Sequence, residues 1–308
     1  MKDSNNPLLC NPESGVCEMP SNLATDLNTK EIKAIENPIK VIYFTDPICS
    51  SCWGIEPQLR KLKLEYGNNL EIDYRMGGLL PDWSYNSGGI SKPSDVAHHW
   101  DEVSLYYDMP IDGDVWLEDP LNSSYPPSIA FKAAQMQDKE KAIVFLRLIR
   151  EMVFLQKKNI TKWEYIKLAA ENAGLNTDQL KTDFEDQAKN LFYADLKLAR
   201  ELGVRGFPTM IFVNTNGVSE TVYGFKPYAA YEEVIRKLEP SIQKYNYDKS
   251  AKSVFAKYHS LTVKEFSVLT DTPKNQAEIL LNNLTAIGKL KKTTTKNGSI
   301  WTKTNADL

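Results

Sequence analysis

Two cysteines separated by Ser50 and Ser51 are the residues of this chain best suited to chemistry. Thr45-Asp46-Pro47-Ile48 leads into Cys49, and Trp53 follows Cys52 directly. An apolar, β-branched run from Ile39 to Phe44 precedes the pair, and Ile55, Leu59 and Leu62 recur behind it at helical spacing. The pair therefore sits where a strand hands over to a helix, and Pro57 is tolerated there because it falls in the first turn. A thiol at a helix start faces unpaired backbone N–H groups and the positive end of the helix dipole. Both favour thiolate, and such cysteines titrate at about 3.5–7.5 instead of about 8.5. The spacing predicts Cys49 as the attacking thiolate and Cys52, one turn deeper, as the sulfur that resolves a mixed disulfide.

A zinc site is the competing use of this spacing, with Cys10 and Cys17 as its other half. Six residues separate those two, wider than a usual knuckle, and a helix start is poorly shaped for a tetrahedral ion. Cys10 and Cys17 flank a turn-rich loop, in which Asn11-Pro12 and Ser14-Gly15 fold the chain back on itself. They are either a second redox pair exchanging with the first, or a staple of the arm with no further role. His98 and His99 are neighbours that diverge around a helix, so a shared ion is disfavoured. The pattern calls for no cofactor and no metal. A glycine-rich phosphate loop and a Gly-x-Ser-x-Gly turn are both absent from the sequence.

The elements that must hold the pair follow from pattern and punctuation. Residues 1–37 read as an irregular arm. Pro38 to Gly78 reads as strand, turn, helix and an alternating strand from Leu70 to Met76. Pro81 to Pro127 is rich in loop formers and carries Trp83, Tyr85, Trp100, Tyr106, Tyr107 and Trp116, which are expected to pack under loops more than to line a groove. Helices are expected from Ile129 to about Gln156 with a break at Asp138-Lys139, from Thr161 with a capping box to Glu164, and from Asn176 to about Gln187. A last one runs from Asp195 to Leu202. Pro208 opens a β-branched strand to Asn214, Asn216-Gly217 makes a hairpin turn, and a terminal helix is expected from Tyr228 to about Tyr245.

A strand–turn–helix bearing Cys49-Ser50-Ser51-Cys52, a helical insertion, and Gly206-Phe207-Pro208-Thr209 ahead of a β-hairpin and helix resemble the thioredoxin superfamily. The chain is similar in particular to the DsbA family and its FrnE-like cytoplasmic branch, over about residues 38–245. The matching stretches are Asp46 to Trp53 and Leu202 to Thr209. The resemblance implies an α/β, thioredoxin-like fold at 38–248 with a helical subdomain inserted at about 81–200. It further implies a cis bond before Pro208, and a Phe207 backbone that offers hydrogen bonds to an extended substrate strand beside Cys49. Trp53 and Thr209 join Phe207 as implied substrate contacts. The implied activity is dithiol–disulfide exchange or isomerisation on protein or peptide thiols. Ser50-Ser51 departs from the Pro- or His-containing versions of relatives, which leaves the direction of the redox chemistry open. Some proteins of this branch act as adaptors that deliver a transcription regulator to a protease, which makes an adaptor the non-enzymatic alternative.

Charge divides the chain. Residues 249–308 carry +6 and the remainder −9, within a net −3. The basic tail reads as helix, helix and a hairpin turning at Asn297-Gly298, a small winged-helix-like domain. Lys289, Lys291, Lys292 and Lys296 cluster near the wing, but the second helix has few basic residues and no Arg. Protein docking is therefore favoured over nucleic-acid binding. No apolar run reaches the eighteen residues of a membrane span, and the polar N-terminus lacks a secretory core. A cytoplasmic setting is expected, where disulfides are usually transient.

Overall fold

The computed structural model describes residues 10–11, 15–18, 39–84, 91–304 and 308. Most of the N-terminal arm, Tyr85, and the side chains of Cys10 and Cys17 lie outside the described residues. Within the arm, β1 (Cys10–Asn11) and β2 (Val16–Glu18) form a hairpin through Gly15. Gly15 has φ +66° and lies so close to Phe225 that any Cβ there would clash, so only glycine suits the turn.

β3 (Ile39–Thr45) is nearly continuous in apolar residues because it is buried on both faces. The expected single helix after it is two: α1 (Ser50–Gly54) and α2 (Glu56–Tyr66), joined at Ile55. Pro57 has no N–H to continue the ladder, so the helix restarts there. β4 (Leu70–Met76) spans the residues expected from its alternation and pairs parallel with β3.

The insertion holds α3 (Pro93–Tyr107), α4 (Val115–Glu118), α5 (Tyr125–Gln137), α6 (Lys139–Leu155), α7 (Trp163–Asn172), α8 (Thr177–Glu185) and α9 (Gln187–Glu201). Asp138 ends α5 and caps α6 by accepting from the backbone N–H of Glu140 and Lys141. The capping box expected at Thr161 does not form. Thr161 turns onto Asn159, and α7 begins two residues later without a side-chain cap. Buried Asp195 on α9 ties the insertion to the sheet, accepting from Met76 N and pairing with Arg75 and Lys132.

The chain returns through β5 (Gly206–Phe207), β6 (Thr209–Asn214), β7 (Ser219–Tyr223) and α10 (Tyr228–Leu238). The main sheet has the order β4-β3-β6-β7, with β6 antiparallel to both of its neighbours. β5 stands outside it and pairs with β2 of the arm. α10 stops at Leu238, short of the expected Tyr245, because Pro240 follows.

The C-terminal unit comprises α11 (Ala251–Lys257), β8 (Ser260–Thr262), α12 (Val263–Thr270), α13 (Lys274–Ala286), β9 (Leu290–Thr295) and β10 (Gly298–Lys303). Its helix, helix and hairpin are those expected, with α11 and β8 added ahead of them. It has a small core of its own around Phe255, Phe266, Leu281 and Trp301, while Ile300 on the same hairpin belongs to the main core.

Candidate functional site

Cys49 is the N-cap of α1, and its Sγ accepts the Cys52 N–H at 3.2 Å. The register of β3 with β6 sets Phe44 opposite Thr209, so the end of β3 that leads into Cys49 lies beside the start of β6. The Phe207–Pro208 bond there is cis. The fold thus brings Cys49, Cys52, Phe207, Pro208 and Thr209 to one end of one sheet. Phe207 lays its ring against Gly77, where an added Cβ would stand 1.9 Å from Phe207 Cζ. Thr209 Oγ1 donates to Gly206 O at 2.7 Å and braces this loop internally.

Beneath the pair lie Arg150, which no motif announced, and Asp46 of the motif itself. Arg150 of α6, 1% exposed, donates to Thr45 Oγ1 at 2.6 Å, to Asp46 O at 3.3 Å and to Glu56 Oε1 at 2.7 Å. Asp46 is fully buried: Oδ1 accepts from Ile48 N at 3.0 Å, and Oδ2 accepts from Leu79 N at 2.8 Å and Ser124 Oγ at 2.9 Å. Its place is that of a strut for the turn. Burial pushes its carboxyl up to about 6, against the pull of those donors and of Arg150. Ser51 Oγ meets Tyr107 OH at 2.6 Å, and the Tyr107 ring packs where Gly54 has no Cβ.

The electrostatics of the pair reverse the expected order. Both sulfurs are wholly buried. Burial, then the hydrogen bond to Cys52 and the charge Cys52 would carry, hold the Cys49 thiol well above its ordinary value. Burial alone would raise Cys52 as well. The bond from Cys49 comes next among its influences, followed by Arg150, Thr45 and the Asp46 backbone, and together they bring Cys52 below its ordinary value. The helix-start effect expected at Cys49 is outweighed because this end of α1 is shut off from water, with β2 of the arm packed against it.

Trp53 is expected, from the resemblance, among the substrate contacts. It is fully buried, donates Nε1 to Pro110 O at 3.0 Å and stacks on Phe154, with the Arg147 guanidinium 4.4 Å from its ring centroid. It anchors the insertion. Arg147 leads on into the C-terminal unit, pairing bidentately with Glu265 at 2.7 and 3.0 Å and with Glu151 at 2.6 Å. Arg60 adds a bond to Glu265 at 3.2 Å and donates to Ser260 O at 2.8 Å. The β9–β10 turn is held too: Lys296 bridges Asp101 and Asp114 at 2.5 and 2.7 Å, and Asn297 donates to Asp101 and to Ile111 O. Sequence reasoning missed Arg147 and Arg150. One signal could have found the second, a charged residue at helical spacing from apolar Leu146, Val153 and Phe154.

Comparison with known proteins bears on this geometry. Residues 43–233 match the family described as Thioredoxin. The ClpXP adapter protein SpxH of Halalkalibacterium halodurans is 34% identical over 98% of this chain and 99% of its own length. The protein of that name in Bacillus subtilis is 30% identical over 86% of this chain and 89% of its own. Among solved structures, a putative protein disulfide isomerase from Nitrosomonas europaea superposes with TM-score 0.56 at 22% identity, covering 67% of this chain and 97% of its own. The cytosolic disulfide reductase DsbM from Pseudomonas aeruginosa superposes with TM-score 0.53 at 21% identity, covering 65% and 99%. At such identities these structures support the fold alone.

Proposed function

The chain belongs to the thioredoxin family, in the DsbA-like branch that includes the SpxH proteins, and from that premise we propose that it is an adaptor bringing client proteins to the ClpXP protease. The observation that carries this is the extent of the likeness. The match to the H. halodurans relative runs over 98% of this chain, across the C-terminal unit, whereas the thioredoxin match ends at residue 233. Two features of the fold support it. The dithiol is closed off from water, as a scaffold tolerates better than an enzyme turning over disulfides. The C-terminal unit also presents an apolar face at Ile279, Leu280 and Ile287, exposed by 59%, 46% and 67%.

The test is degradation by purified ClpXP of proteins that co-purify with the chain. Turnover accelerates in its presence, and Cys49→Ser/Cys52→Ser retains the effect to within about a factor of two. An Ile279→Lys/Ile287→Lys chain loses it while melting unchanged. Turnover indifferent to the chain defeats the adaptor reading.

A second reading, thiol–disulfide exchange on protein thiols, is favoured by one arrangement: Cys49-x-x-Cys52 at a helix start beside the Phe207–Pro208 loop. Here Cys49 is the sulfur joined to the partner, Cys52 the inner sulfur, and Phe207-Pro208 the backbone that receives it. Exchange with glutathione that survives Cys49→Ser would end this reading.

A further inference from the structure

The backbone of Phe207 is not left open for a partner strand. β2 is already there: Cys17 is the register partner of Phe207 and Glu18 that of Gly206, antiparallel. β2 also packs against α1, whose N-cap is Cys49, and Gly15 O accepts the Phe225 N–H at 2.7 Å on the far side. The arm therefore lies along the edge that an extended substrate would use. Of the residues of β2, it is the cysteine that stands level with the residue before Pro208. Its partner in the arm is equally well placed. Cys10 is directly opposite Cys17 in the β1–β2 register. Directly opposed residues of antiparallel strands have Cα atoms about 4.5 or 5.5 Å apart, inside the span a disulfide accepts.

We propose that the β1–β2 hairpin is a built-in substrate of the dithiol, with Cys17 the thiol that exchanges with Cys49 and Cys10 the thiol that completes the transfer. This rests on the thiol–disulfide reading of the pair. Starting from a Cys49–Cys52 disulfide, the Cys17 thiolate attacks Cys49 Sγ. The Cys17–Cys49 bond forms, the Cys49–Cys52 bond breaks, and Cys52 leaves as the thiolate that Arg150 and Thr45 favour. Cys10 then attacks Cys17, the Cys10–Cys17 bond forms, and Cys49 is released. Two protons pass from Cys10 and Cys17 to Cys49 and Cys52, so one disulfide and two thiols stand on each side. No outside oxidant enters, and the transfer runs either way.

The experiment uses the full chain with Cys10→Ser/Cys52→Ser, which leaves only Cys17 and Cys49 to bridge. It is treated with oxidised glutathione, blocked with a maleimide and mapped by mass spectrometry without reduction. The expected product is an intramolecular Cys17–Cys49 disulfide. In the companion Cys17→Ser/Cys52→Ser chain, Cys10 is one strand farther out, and its bridging to Cys49 falls by roughly tenfold. Glutathione on both sulfurs without a bridge, dimers linked between chains, or equal bridging by Cys10 would overturn the proposal while leaving Cys49 reactive. A Cys49 that takes no glutathione in either chain overturns it by removing the dithiol reading itself. Should Cys52→Ser not fold, the unmodified chain gives the answer. Oxidised at Cys49–Cys52, it passes the disulfide to Cys10–Cys17 at a rate independent of protein concentration; retention at Cys49–Cys52 tells against the transfer.

Discussion

Asp46 carries three hydrogen bonds to its carboxylate and still has a raised affinity for its proton, because the cost of burying the charge exceeds what those donors and Arg150 return. The fold therefore stabilises the protonated carboxyl. With its value at about 6 when folded and 3.8 ordinarily, this contribution is complete below about pH 4 and is lost as pH rises through about 6. It amounts to roughly 3 kcal/mol. Urea unfolding between pH 4 and 8 should show a fall of this size from Asp46, and the carboxyl carbon should titrate near pH 6 by NMR. The sequence places Asp46 in the stretch that leads into Cys49 but could not give its depth, which depends on Leu79 and Ser124 brought in from the loops. The same limit misled the reading of Cys49. A helix start is visible in sequence, whereas the arm that closes over it is a long-range contact.

Elements whose ends are set by local chemistry were legible. β4 needed only its alternation, the α5–α6 break only Asp138, and the β6–β7 turn only Asn216-Gly217. Asp138→Ala should cost about 1 kcal/mol in urea unfolding, since it leaves two α6 N–H groups without their acceptor. Thr161→Ala should cost less, because that hydroxyl is turned to Asn159 and caps nothing. Where two local signals competed, the pattern misled: Asn159 took the threonine that Glu164 was expected to share. β5 and β8 could not be read at all. They are two and three residues long, and each is a strand only because a distant segment, β2 or β10, lies beside it.

Across the whole molecule, the C-terminal unit is joined to the dithiol core by buried charge. Glu265 is held below the ordinary glutamate range: burial opposes this, and Arg147 and Arg60 overcome it. Its stabilising contribution is present above the ordinary value and lost as pH falls through the lowered one. Glu265→Gln should destabilise the full chain by about 3 kcal/mol in urea unfolding, because two buried guanidiniums lose the carboxylate they share and keep only Glu56 and Glu151. At the β9–β10 turn, Lys296 is already neutralised by Asp101 and Asp114, so Lys296→Ala should leave any DNA affinity unchanged in a salt titration. The sequence showed a basic tail on an acidic body, and the charges that meet across the seam explain part of that division. The seam also has a hereditary side. Arg60, Arg147 and Arg150 face Glu56, Glu151 and Glu265 in a closed set of balanced sign. A mutation at any one of them strands a charge that its neighbours cannot absorb. Over evolutionary time these six positions are therefore expected to stay fixed or to change together.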